Sequence, residues 1–161
     1  MKLNEKLFKK LNILYVENDE KIKESFSDTL NKLFNKVFLC SDGLDALDKF
    51  TQLNDTSEKI DVILSEYSVS SLNGLELLFK IRDINKNVPF IFITQKTDID
   101  LLLNSLRYNV TDYFFKPINE NEILKKIEEN EKNIEEINQL AQKSKNLRIT
   151  KTYLFFKNFG Q

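Results

Sequence analysis

Residues 60–78 read IDVILSEYSVSSLNGLELL. The run DVILS at 61–65 is too short for a helix and is rich in branched aliphatic residues, which suits a strand buried on both faces of a parallel sheet. A charged side chain, Glu66, follows it at once. A polar stretch then carries the chain to Gly74, after which Leu75, Leu78 and Ile81 repeat at helical spacing. Strand, acidic edge residue, turn and helix in this order form half of a βαβ unit.

The same unit recurs on either side. NILYV at 12–16 and KVFLC at 36–40 precede it, and PFIFIT at 89–94 and DYFFK at 112–116 follow. Helical patterns separate the runs: Ile22, Phe26, Leu30 and Leu33; then Leu44, Leu47 and Phe50; then Leu102, Leu103 and Leu106 as the fourth, and Ile123, Ile127, Ile134 and Ile137 as a long fifth. This alternation predicts an α/β fold with a parallel sheet. Right-handed crossovers gather the loops after the strands at one sheet edge, where open α/β sheets do their ligand chemistry. The residues predicted to meet there are Glu17, Asn18 and Asp19; Ser41, Asp42 and Gly43; Glu66; Thr94 and Gln95; and Lys116 with Pro117.

Composition narrows the function. At 161 residues the chain has room for one core and a helical tail. Hydrophobic residues at 41% and charged residues at 30% fit an ordinary soluble domain. With 24 Lys and Arg against 25 Asp and Glu there is no broad basic surface, so no nucleic-acid or membrane partner is expected. Histidine is absent and Cys40 is the only cysteine, which removes Ser-His-Asp triads, zinc-protease helices, cysteine metal clusters and internal disulfides. Three glycines in the whole chain leave no Gly-rich nucleotide loop. The amphipathic start MKLNEKLFKKLN does not read as a secretory signal, and the cytoplasm is expected.

Four stretches, ILYVENDE, IDVILSEYSVSSLNGLELL, FIFITQ and DYFFKP, together resemble the four motif regions of response-regulator receiver domains, in the family's order and at its separations. The resemblance spans residues 11–128, leaving 1–10 as a helical lead and 129–161 as an extended helix with an aromatic tail, for dimerisation or as a linker. It implies a doubly wound, flavodoxin-like, five-stranded parallel sheet of order 2-1-3-4-5 with an extended C-terminal helix. It also implies a role in two-component, phosphorelay signal transduction, with a sensor kinase upstream, rather than an enzyme. In such domains acids after the first strand hold Mg²⁺, so Glu17, Asn18 and Asp19 fall on the metal positions. An aspartate at the end of the third strand accepts the phosphoryl group, and Glu66 falls there. Thr94 matches the switch hydroxyl, Lys116 the ammonium that pairs with the phosphoryl group, Tyr113 the aromatic that turns inward on activation, and Pro117 the proline of the cis peptide.

The departures lie where the family's chemistry is done. Glu66 is longer than aspartate by a methylene, and misplacing a nucleophile by about 1 Å costs around a hundredfold in rate. Asn18 supplies an oxygen but no formal charge, so any Mg²⁺ is expected to bind weakly. The longer carboxylate reaches toward Thr94 and Lys116 and stands in for part of a phosphoryl group; the bland alternative is an eroded site whose polar groups satisfy one another. Ser70 replaces the usual loop proline, and Asn109 stands where the family has glycine, a position asparagine tolerates in a left-handed cap.

Two functions compete. One is a phosphorylation-independent binding module that docks a partner through the fourth helix, fifth strand and fifth helix. The other is a conventional Mg²⁺-dependent receiver that takes phosphate on Glu66 or a neighbour such as Ser65. In the tail, Ile123, Ile127, Asn130, Ile134, Ile137 and Ala141 step by four and three, the spacing of a coiled-coil seam, and suggest a parallel homodimer. The stretch ITKTYLFFKNFGQ at 149–161 is expected either to fold back on an apolar surface or to pair with another chain.

Overall fold

The computed structural model describes residues 2–95 and 99–159. Five parallel strands, β1 Asn12–Val16, β2 Lys36–Cys40, β3 Val62–Ser65, β4 Phe90–Thr94 and β5 Asp112–Phe115, form one sheet in the order β2-β1-β3-β4-β5. Around it lie α1 Glu5–Phe8, α2 Glu20–Leu33, α3 Gly43–Leu53, α4 Gly74–Ile84, α5 Ile99–Arg107 and α6 Glu120–Phe159. This is the doubly wound, flavodoxin-like arrangement the motif order implied, with α6 running well past the sheet.

Alternation along the strands builds a core on each face. Ile13 and Tyr15 of β1 point to one side with Phe26, Leu30, Ile91, Ile123 and Ile127. Leu14 and Val16 point to the other with Phe50, Leu77, Ile81, Phe90 and Phe92. Phe8 of α1 is fully buried against the first cluster, so the helical lead closes one end of it. Burial is complete only for the three central strands, β1, β3 and β4. β2 and β5 each have one neighbour, which leaves Lys36, Leu39 and Phe115 exposed, in contrast to the two-sided burial that the apolar runs suggest.

Register aligns the strand ends. Val16 sits opposite both Cys40 and Ser65, Ser65 opposite Phe92, and Thr94 opposite Phe115. The ladder runs one residue further, because Glu17 N donates to Cys40 O, Glu66 N to Val16 O and Lys116 N to Thr94 O, at 2.9–3.0 Å. The ends of β1, β3 and β5 therefore present Glu17, Glu66 and Lys116 at one edge, with Thr94 of β4 between the last two.

Capping fixes where the next helices begin. Asp19, Asp42 and Asn73 each accept a backbone N–H from the first turn of α2, α3 and α4, and Asn73 and Glu76 complete a reciprocal capping box. Gly74 is required by close approach: a Cβ there would lie 2.7 Å from the Glu66 carbonyl oxygen and from the Phe92 ring. Asn109 has φ 55°, the left-handed cap its sequence position suggests. In the loop with Ser70, Ser71 takes φ 68°.

The tail does not fold back. α6 stays helical to Phe159, with Tyr153, Leu154, Phe155 and Phe156 all exposed, because among the described residues no neighbouring element reaches that far from the sheet. The Phe159 side chain and the last two residues of the predicted tail lie outside the described residues.

Candidate functional site

At the carboxyl edge of the sheet, a cleft of about 380 Å³ is lined by Glu17, Asn18, Asp19, Glu66, Gln95 and Lys116, among others. Of the sequence-predicted residues, these six converge here; Thr94 reaches Glu66 from the end of β4, Pro117 lines a neighbouring cleft with Lys21 and Glu120, and the Ser41–Gly43 set serves the turn into α3. At its floor Lys116 Nζ lies 2.6 Å from Glu17 Oε2 and 2.7 Å from Glu66 Oε2, with all three side chains almost fully buried. One ammonium thus forms ion pairs with two carboxylates in a low-dielectric setting, where attraction between opposite charges is strongest.

Glu66 is held on every side. Its Oε1 accepts from the amides of Tyr67 at 2.6 Å and Ser68 at 3.1 Å, while Oε2 meets Lys116, and the Thr94 hydroxyl also hydrogen-bonds to the carboxylate. Burial pushes the Glu66 carboxyl upward, but the bonds from Lys116, Thr94 and Ser68 outweigh it and hold the group below the usual carboxylate range. Burial pushes the Lys116 ammonium downward, and Glu17 and Glu66 more than restore it. Both partners are therefore charged across the neutral range.

Beside them, Tyr113 packs on Phe92 with ring centroids 5.2 Å apart, and its hydroxyl is buried. The ring is turned inward. The Lys116–Pro117 peptide is cis. Ser65 is fully buried, and its hydroxyl donates to the Glu66 carbonyl at 2.9 Å rather than facing the cleft. It is thus no accessible alternative to Glu66.

The metal positions are committed elsewhere. Glu17 Oε1 accepts the Asp19 amide at 3.0 Å while its Oε2 holds Lys116. Asp19 Oδ1 caps α2 by accepting from Ile22 N at 3.0 Å, and Asn18 is exposed at the rim. All four oxygens of the two buried carboxylates are engaged, and among the described residues no group of three or more acidic, histidine or cysteine side chains is arranged to hold a metal ion. In this arrangement the residues do not fit Mg²⁺, because the cation at their centre is the protein's own ammonium.

Sequence reasoning took Glu17 and Asp19 only as metal positions. The cap role of Asp19 had a signal, an aspartate directly before an amphipathic run with Glu20 in its first turn. The Tyr67 and Ser68 amides that cradle Glu66 had none, since any residue supplies an amide.

A doubly wound sheet with this acidic and basic cluster at its carboxyl edge defines a signalling domain of the receiver class. The chain belongs to the family described as response regulator receiver domain, which it matches over residues 13–128. It is 32% identical over 115 residues to the Arabidopsis thaliana protein called two-component response regulator-like APRR9, covering 70% of this chain and 24% of that one. It is 27% identical over 111 residues to sporulation initiation phosphotransferase F of Bacillus subtilis, covering 69% and 86%. The chain thus spans about a quarter of the plant relative's length. In fold it is similar to a solved response regulator receiver domain protein from Clostridium thermocellum, with a TM-score of 0.71 at 20% identity over 79% of this chain and 98% of that one. Among the described residues no helix is long and apolar enough to cross a membrane.

Proposed function

We propose that this receiver domain signals in the cytoplasm without ordinary phosphorylation, its switch site held in an active-like arrangement by Glu66 itself. The observation that carries the reading is the simultaneous contact of the Glu66 carboxylate with Lys116 Nζ at 2.7 Å and with the Thr94 hydroxyl. Those are the two groups that the family resemblance assigns to a bound phosphoryl group. The extra methylene brings the carboxylate to them, and each charge-assisted hydrogen bond is worth about 1.5–3 kcal/mol. The inward ring of Tyr113 agrees with such a state.

Output then rests on protein contact. Leu102, Leu103 and Leu106 of α5 and Phe115 of β5 are exposed on the face completed by α6, an apolar surface suited to a protein partner. From Glu135 to Asn158, α6 is exposed along its length, which supports a second contact with another copy of the chain. A sensor kinase upstream would be bound rather than used as a phosphate source.

The competing reading is a conventional Mg²⁺-dependent phospho-acceptor. Incubation with acetyl phosphate and Mg²⁺ followed by intact-mass analysis separates the two. The proposal expects no phosphoryl adduct; a stable adduct on Glu66 overturns it.

A further inference from the structure

The outer half of α6 changes charge along its length. Residues 120–136 carry seven glutamates and three lysines, whereas 137–159 carry Lys143, Lys145, Arg148, Lys151 and Lys157 and no acid. Within the basic half, Leu140, Leu147 and Leu154 recur every seventh residue, with Ile137 three positions ahead of the first and Phe155 on the same side, each at least half exposed. At the foot of the domain, where α6 leaves the sheet, Pro89, Val110, Thr111, Asn130, Ile134 and Ile137 help line an open groove of about 570 Å³.

We infer that two copies of this chain pair antiparallel through α6, each seating its aromatic end in the groove at the foot of the other. This rests on the self-association reading above but not on the state of the switch site. Parallel pairing, the arrangement seam spacing alone suggests, would oppose Lys151 to the partner's Lys151 within the seam. It would also set Lys143 beside the partner's Arg148, and like charges at such positions are destabilising. Antiparallel pairing about a twofold axis between Lys145 and Asn146 sets Ile137 against the partner's Leu154 and Ser144 against the partner's Leu147. Lys151 then lays its alkyl stem over the partner's Leu140 and extends its ammonium to water. The flanking positions bring Glu136 beside the partner's Lys157, twice by symmetry.

The groove distinguishes the two arrangements independently of charge. In the antiparallel register the partner's Phe155 falls beside Ile134, at the groove wall. In the parallel register the aromatic end lies about 30 Å along the helix from that groove. A seam of about 2.5 heptads is marginal alone, so the additional apolar area in the groove is what makes the antiparallel pair the stable one.

The test uses the 161-residue chain. Sedimentation equilibrium is expected to show a dimer, weakened about tenfold or more by Glu136→Lys or by Lys157→Glu alone and restored by the two together. A spin label at Asn158→Cys in a Cys40→Ala background is expected to report about 35–40 Å between backbones by pulsed dipolar spectroscopy. A monomer at high micromolar concentration overturns the self-association itself. A dimer with labels within about 15 Å, or a double reversal no better than the singles, overturns the antiparallel orientation.

Discussion

Replacing Lys116 by methionine keeps the side chain's reach and removes its charge, leaving Glu17 and Glu66 facing each other without the ammonium between them. Both carboxylates are buried, with side-chain exposures of 0% and 6%, so water from the cleft replaces the lost ammonium only in part. Removing one partner of a buried pair costs about 3–5 kcal/mol. With a urea m value of about 2 kcal/mol/M, the unfolding midpoint at pH 8 falls by about 2 M. The pH dependence is equally diagnostic. In the unaltered chain the depressed Glu66 pKa contributes stability above the usual carboxylate range, lost as pH falls through its folded value. The raised Lys116 pKa contributes stability that is lost only as pH rises through its own folded value, above the usual lysine range. The unaltered chain is therefore level in this respect between pH 5 and 8, whereas the variant regains stability toward pH 5 as an unpaired carboxyl takes up a proton. Adding Glu66→Gln to Lys116→Met should recover part of the loss at pH 8. A deficit under about 1 kcal/mol, the same at both pH values, would refute the buried bridge and mark a solvated pair.

Other outcomes follow from single contacts. Arg82 donates to the carbonyls of Tyr108, Asn85 and Asn109 and ties α4 to the end of α5, so Arg82→Leu should lower unfolding free energy by about 3 kcal/mol in urea titration. Gly74→Ala forces a Cβ against the Glu66 carbonyl and the Phe92 ring; a loss of about 1–3 kcal/mol and amide shifts centred on Tyr67 and Ser68 are expected. Burial, with Asp61 and Glu135 nearby, pushes the Glu131 carboxyl up to about 7. Its folded form therefore holds a proton that the unfolded chain releases earlier, so this group's contribution declines as pH rises from about 4.5 to 7. Glu131→Gln should remove that decline and leave the protein more stable at pH 8 by chemical denaturation.

Much of this was legible in the sequence because it depends on short periodic patterns. The runs at 12–16 and 36–40 are strands over those same residues, and those at 61–65, 89–94 and 112–116 differ by one residue at an end. Glu66, Thr94 and Lys116 could be brought together because parallel strands with short crossovers leave their ends at one edge. Legibility failed where partners are supplied by the backbone or by competition. Nothing in the residue pattern says that Lys116 chooses Glu17 as well as Glu66, or that the Tyr67 and Ser68 amides cradle Glu66. Asp19 is drawn into capping α2 because an unpaired N–H lies within reach of its side chain. The aromatic tail read equally well as a segment folding back or as one pairing outward, since amphipathic spacing does not reveal how far the sheet extends.

The most direct test of a self-held switch is an amide chemical-shift titration with Mg²⁺ and beryllofluoride. If Glu66 already occupies the place of a phosphoryl group, the signals of Glu66, Thr94, Tyr113 and Lys116 stay fixed through millimolar additions. Saturable shifts at those residues that spread into α5 would contradict this and return the domain to phosphorylation-driven switching.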